Sequence, residues 1–234
     1  MRADAEPLGP LLAQLQLTDS GFPSGMYTLS HGLEGYTQLG PASPDDPGEL
    51  LADLLRHAVG PGDASALVLA HRAVRAGDWA RLAEVDRRLH AIKLVGEQRT
   101  ASVRTGRQVL DTAAFAFPAP ESVRLADLVA AKVTPGNHAV VVGALYAGLG
   151  VSERRAVAGD LYAFAASFAT AAVRLGRTDF RRAQALLRGV RPELEAVARA
   201  ALAVEDPRDL HSSVPVADVV AAGHQRAAAR LFIT

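Results

Sequence analysis

The sequence predicts an all-α protein, a single domain over residues 1–234 built as a bundle of about eight to ten helices. Three observations predict it. Nearly half of the residues are apolar, yet aromatics are only 5% and alanine is abundant; alanine, leucine and arginine all favour helix. Runs of β-branched residues, which strands prefer, are almost confined to Val140-Val141-Val142 inside an alanine- and glycine-rich segment. Apolar residues also recur at three- and four-residue spacing along much of the chain.

Each element follows in order. Residues 1–7 read as a flexible N-terminus, and Leu8 to Leu17 as a first apolar segment. A turn-rich stretch from Thr18 to Glu34 comes next, then a loop from Gly40 to Gly48 with Pro41, Pro44 and Pro47. A short helix is expected from Glu49 to Val59, stopped by Gly60-Pro61-Gly62. Asp63 reads as the N-cap of a helix carrying Leu67, His71 and Val74, with Gly77 as its stop. Asp78 caps the next, where Leu82, Val85, Leu89, Ile92 and Val95 repeat. The period resumes at Val103, Leu110, Ala114 and Phe117, as one bent helix or as two broken at Gly96 or Gly106. Pro118 and Pro120 end it, and a helix from about Ser122 to Val133 leads to a turn at Thr134-Pro135-Gly136-Asn137.

His138–Gly150 and Ser152–Leu175 are the core candidates. In the second, Leu161, Phe164, Phe168, Ala172 and Leu175 share a face, and the opposite face is also small or apolar. A helix apolar all round belongs at the centre of its domain. Helices near Phe180–Val190 and Pro192–Val204 complete the bundle. Residues 206–234 read as a docking tail, with Val216, Val219, Val220, Ala227, Ala228 and Leu231 along one helical face weakened by Gly223. Its Leu231-Phe232-Ile233 must be buried on the chain's own body or on another protein.

Composition excludes several function classes. Formal net charge is zero, so long-range attraction to nucleic acid or an anionic membrane is not expected. Lysine occurs only at Lys93 and Lys132. The pairs Arg87-Arg88, Arg154-Arg155 and Arg181-Arg182 are solvated faces or a contact surface for an acidic partner. With no cysteine, disulfides, thiolate zinc sites and thiol catalysis are excluded. The N-terminal residues carry acids and no hydrophobic leader. Val133–Ser152 is interrupted by Pro135, Asn137 and four glycines, and Leu161–Val173 reads as too short to span a bilayer. A soluble cytoplasmic protein is expected.

Catalysis needs a nucleophile with its base, paired acids, or an open metal. The seven histidines, His31, His57, His71, His90, His138, His211 and His224, include no pair at the four-residue spacing of a helical metal site. Neither lysine follows a glycine, so no phosphate loop of the Walker type exists. Ser24-Gly25 and Ser30-His31 bear no nucleophile-elbow pattern. Asp86 and His90 lie one helical turn apart and leave open an alternative, an all-α enzyme with a site around Asp86, His90 and Arg99. A ligand-binding regulator would need a basic recognition helix, and none is evident.

The most informative stretch is Asp19-Ser20-Gly21-Phe22-Pro23-Ser24-Gly25-Met26-Tyr27-Thr28-Leu29-Ser30-His31-Gly32-Leu33-Glu34. Too rich in glycine and proline for an ordinary helix, it is too aromatic for a solvated linker. It resembles the N-terminal signature of the urease accessory protein UreF family. Further likenesses follow in the family's order: Arg99-Thr100-Ala101-Ser102 with Gly106-Arg107, Gly136-Asn137-His138, Leu161-Tyr162-Ala163-Phe164, Ala171-Ala172-Val173-Arg174-Leu175, and Ser213-x-Pro215 with His224 and Arg230-Leu231-Phe232. The chain departs from the pattern at Gly176-Arg177-Thr178, shorter than the family's insert, at Gln225 and at Met26.

The resemblance implies an all-α, homodimeric, non-catalytic protein of urease maturation. Its partners would be UreD (UreH in some systems), the GTPase UreG and apo-urease, with Ni²⁺ handled by the complex and no cofactor bound tightly. It implies partner contacts at Asp19, Phe22, Pro23, Tyr27, Ser30, His31, Glu34, His224, Arg230, Leu231 and Phe232. His31 is read two ways: as a turn histidine bonded to a nearby carbonyl, or as a polar group meeting Ni²⁺ transiently on a partner-facing surface.

Overall fold

The centre of the fold is a helix crossing that the sequence marks with a glycine. In the computed structural model, which describes residues 7–38, 46–224, 226–227 and 229–233, α4 (Ser65–Arg75) crosses α8 (His138–Gly148). A Cβ at Gly143 would collide with the Leu67 carbonyl, so only glycine lets the two backbones come this close. Every residue from Ala139 to Ala147 is buried. Around this pair pack α5 (Trp79–Ile92), α6 (Gly96–Ala116) and α7 (Pro120–Ala130) on one side. α9 (Glu153–Arg174) and α11 (Arg191–Leu202) pack on it as well, and α10 (Phe180–Gly189) lies against α9 and α11. One apolar core runs through all of these helices.

No strand occurs among the described residues, and the all-α expectation holds. They form twelve α-helices, slightly more than the eight to ten expected, with a short one at Leu33–Gln38 where no helix was expected. The first is α1 (Leu8–Thr18), laid on α9 through the Gln14 amide and the Arg155 carbonyl, 2.7 Å apart. The short helices are α2 (Leu33–Gln38), α3 (Pro47–Leu54) and α12 (Pro215–His224). Asp78 caps α5 as the sequence suggests, and Asp46 and Asp179 likewise accept first-turn N–H groups of α3 and α10. The α5–α6 break falls just before Gly96, not at Gly106. Gly106 lies inside α6, where any Cβ would strike the Gly136 carbonyl.

Gly60-Pro61-Gly62 does not stop a helix. Residues Leu55–Ala64 form a π-helix that carries the chain unbroken from α3 into α4. Pro61 has no N–H for the usual ladder, and the widened turn absorbs that loss. Gly60 is pressed against Val197 of α11, where a Cβ would come within 2.7 Å, so tertiary packing overrides the local stop signal. The His57 and Pro61 carbonyls accept the N–H groups of Ser213 and His211, at 2.8 and 3.3 Å. Asp63 is therefore no N-cap; its carboxylate meets Lys93 Nζ at 2.7 Å.

Two further expectations are corrected. The stretch Leu161–Val173 lies within α9, whose 22 residues are long and apolar enough to cross a membrane by composition. Its packing against α1, α4, α8, α10 and α11 is that of a central core helix. In the tail, α12 ends at His224, so Ala227 and Leu231 do not continue its face. Ala228 and residues 1–6 lie outside the described residues.

Candidate functional site

Thr18–Glu34 folds as a sequence of tight turns. The Asp19 carboxylate accepts the Gly21 N–H at 2.7 Å just after α1. Gly25, at φ 79°, opens a single 3₁₀ turn, Met26–Thr28. His31 at φ 54° and Gly32 at φ 86° then reverse the chain into α2. A left-handed histidine is uncommon and must be held by its surroundings. Its Nε2 lies 2.9 Å from Ser167 Oγ, and its ring stands edge-on to Phe164 with centroids 4.6 Å apart. Burial, and then His138 nearby, disfavour the charged ring and lower its pKa to about 4, against a smaller opposing pull from Asp63. At neutral pH His31 is an uncharged imidazole. It bonds a hydroxyl, not the backbone carbonyl of the first sequence reading.

The tail returns to this turn. Glu34, buried at the start of α2, accepts the Leu231 N–H at 2.6 Å on one oxygen. Its other oxygen accepts the Phe232 N–H and lies against His224 Nε2, both at 2.9 Å. Burial alone would raise the Glu34 pKa, but these donors outweigh it and hold the carboxyl below its ordinary value. His224 Nδ1 faces Glu97 at 3.5 Å, and Glu97 pairs with Arg230 at 2.5 Å. The Ile233 N–H donates to the Thr28 carbonyl at 2.9 Å. Arg174 sits over the rings of Tyr27 and Phe232, at 4.0 and 4.2 Å from their centroids, and donates to the Tyr27 carbonyl.

Positions nearly two hundred residues apart therefore form one face. The sequence-predicted residues divide within it. Phe22, Ser30, Glu34, His224 and Phe232 are buried inside the chain and hold the face together. Asp19, Pro23, Tyr27, Arg230 and Leu231 are exposed, with Tyr27 64% and Leu231 56% accessible; His31 is partly buried. Sequence reasoning missed Glu97, Ser167 and Arg174 as members. Arg174 had one signal, a cation closing a helix that carries no other charge after Asp160; Glu97 and Ser167 had none.

Behind the face lie two cavities, of about 260 and about 160 Å³, both bordered by Met26, Leu29, His138 and Asp160. The first is lined by the signature turn with Tyr146, Ser167, Arg174 and Phe232. The second is lined by His31, Phe164, Ser102 and the Asp63–Lys93 pair. His138 Nε2 and Asp160 Oδ1 lie 3.3 Å apart where the two meet. Among the described residues no group of three or more histidines or acids could hold a metal ion.

Asp86, His90 and Arg99 are used differently from the enzyme alternative. Asp86 is fully buried and accepts four bonds from the turn Thr134–Asn137. Arg99 donates to the Lys93 carbonyl at 2.9 Å. A carboxylate saturated by a turn is not free to act as a base, so this geometry gives the alternative no support.

Comparison with known proteins agrees with the family resemblance. The family profile of UreF matches residues 42–191. The chain belongs to the UreF family. It is 33% identical over 226 residues to the urease accessory protein UreF of Trichodesmium erythraeum, covering 94% of this chain and 95% of that one. Urease accessory protein UreF 2 of Brucella canis is 30% identical over 227 residues, covering 95% of this chain and 91% of its own. The UreF of Bacillus sp. strain TB-90 is 27% identical over 228 residues, covering 96% and 99%. In this UreF-family chain the profile spans α3 to α10, with Glu97, Ser167 and Arg174 of the face inside it and Glu34 and the tail outside.

Proposed function

We propose that this chain is a non-catalytic scaffold of urease maturation. It bridges UreD, or UreH, and the GTPase UreG, and is required for Ni²⁺ to reach apo-urease. The observation that carries this reading is the face on which the tail is clamped to the signature turn. Tyr27, Arg230 and Leu231 stand exposed over the buried Glu34–His224 contact, and aromatic and arginine side chains dominate interface energetics.

The scaffold works in the cytoplasm as a homodimer and binds no cofactor tightly. The uncovered stripe Leu8, Leu12 and Leu15 on α1 supports an assembled rather than a solitary chain. His31, uncharged at neutral pH, makes at most a transient contact with Ni²⁺, which is cargo of the complex. The test is reconstitution: apo-urease, UreD, UreG, GTP and Ni²⁺ are combined with and without this chain. Urease activity that depends on the chain is expected; equal activation without it contradicts the reading.

A further inference from the structure

The buried Asp86 carboxylate needs a purpose. Removing an ionised carboxylate from water costs several kcal/mol unless its lone pairs are well bonded. Here all four side-chain bonds come from one turn: Thr134 Oγ1 at 2.5 Å, Gly136 N–H at 2.6 Å, Asn137 N–H at 3.1 Å and Asn137 Nδ2 at 2.7 Å. The turn is held from the far side as well, because Gly106 of α6 leaves room for the Gly136 carbonyl and nothing larger. Gly136 adopts φ 83°, so its shape is fixed at the backbone too. The next residue is His138, the first of α8, at the junction of the two cavities.

We propose that Asp86 is a positioning residue for His138. By fixing the turn Thr134–Asn137, it aims His138 Nε2 at Asp160, 3.3 Å away, where the two cavities meet. His138 Nδ1 is buried and has no protein partner, and so is Ser102 Oγ; both residues border the second cavity. Buried polar atoms are seldom left unpaired. The His138–Asp160 pair is then the polar group that both cavities share, and Asp86 acts on it only through the turn.

This inference rests on the scaffold reading for its activity readout alone; its first readout uses the isolated chain. In Asp86→Asn the amide NH₂ would replace one of the two oxygens and stand against the N–H of either Gly136 or Asn137. The turn would shift, and the ¹⁵N imidazole signals of His138 should move while those of His211, on the exposed strap, stay in place. In the reconstituted apo-urease assay, Asp86→Asn and His138→Gln should each lower activated urease by about tenfold, the scale typical of losing an orienting partner. The double variant should fall no further than either single one. Unchanged His138 signals in Asp86→Asn, or a double variant whose losses multiply, would overturn the proposal. Should Asp86→Asn fail to fold, Thr134→Val removes one of the four bonds and must still move the His138 signals. If it does not, the proposal fails.

Discussion

The α4–α8 crossing and the Glu34–His224 centre of the clamp are both buried but made of opposite materials. At the crossing, glycine and β-branched or leucine side chains meet with no charge, and stability comes from apolar area and close packing. At the clamp, one carboxylate gathers two backbone N–H groups and a histidine, while a second carboxylate holds that histidine and an arginine. The crossing tolerates no extra atom. The clamp tolerates no lost charge, since each buried partner left alone bears its full desolvation cost. A core of the first kind makes the body rigid; a joint of the second kind makes a face that can be specific.

The comparison breaks most visibly at the crossing. Gly143→Ala places a methyl against the Leu67 backbone, which cannot move aside as a side chain would. A loss of about 3 kcal/mol or more in global unfolding by urea is expected. At the clamp, Glu34→Gln keeps the shape but loses the charge. A local loss of about 2–3 kcal/mol should appear as faster amide exchange at Leu231 and Phe232, with the body's exchange unchanged. The same clamp should loosen in acid: its stabilisation is full above the ordinary carboxyl value of 4.5 and lost as pH falls through the lowered value in the fold.

His31 sharpens the contrast at a different pH. Between pH 6.5 and about 4 the unfolded chain binds a proton at His31 that the folded chain refuses, so stability falls as the solution is acidified through that window. The expected loss is about 2 kcal/mol after allowing for partial solvent access. His31→Asn, which tolerates the left-handed backbone, should flatten that part of the stability–pH curve. The smallest effect belongs to a local cap. Asp78→Ala, which removes the bond to the Arg81 N–H, should cost about 1 kcal/mol by thermal melting.

What could be read from the sequence follows the same division. Helices α4 to α11 were visible because their signals are local: an aspartate cap, a 3.6-residue apolar period, a glycine or proline stop. Even the centrality of α9 showed in its lack of a polar face. Gly60-Pro61-Gly62 misled because its local signal is a stop, while Val197 and the strap at His211–Ser213 hold the segment in a π-helix. The clamp was half visible. Glu34, His224 and Arg230 were picked out by family likeness, but nothing local says that Glu34 meets His224, or that Glu97 joins them. Pairs separated by this much chain leave no periodic trace. Phe232 shows the cost, since a terminal aromatic looks exposed until its cover, Arg174, is in place.

The most direct test titrates purified UreD into the full-length chain, the Glu34→Gln variant and a variant lacking residues 230–234, with calorimetry for affinity and circular dichroism for fold. If signature and tail form one docking face, both variants should keep their helical signal and bind at least tenfold more weakly. Wild-type affinity in both would show that UreD docks elsewhere.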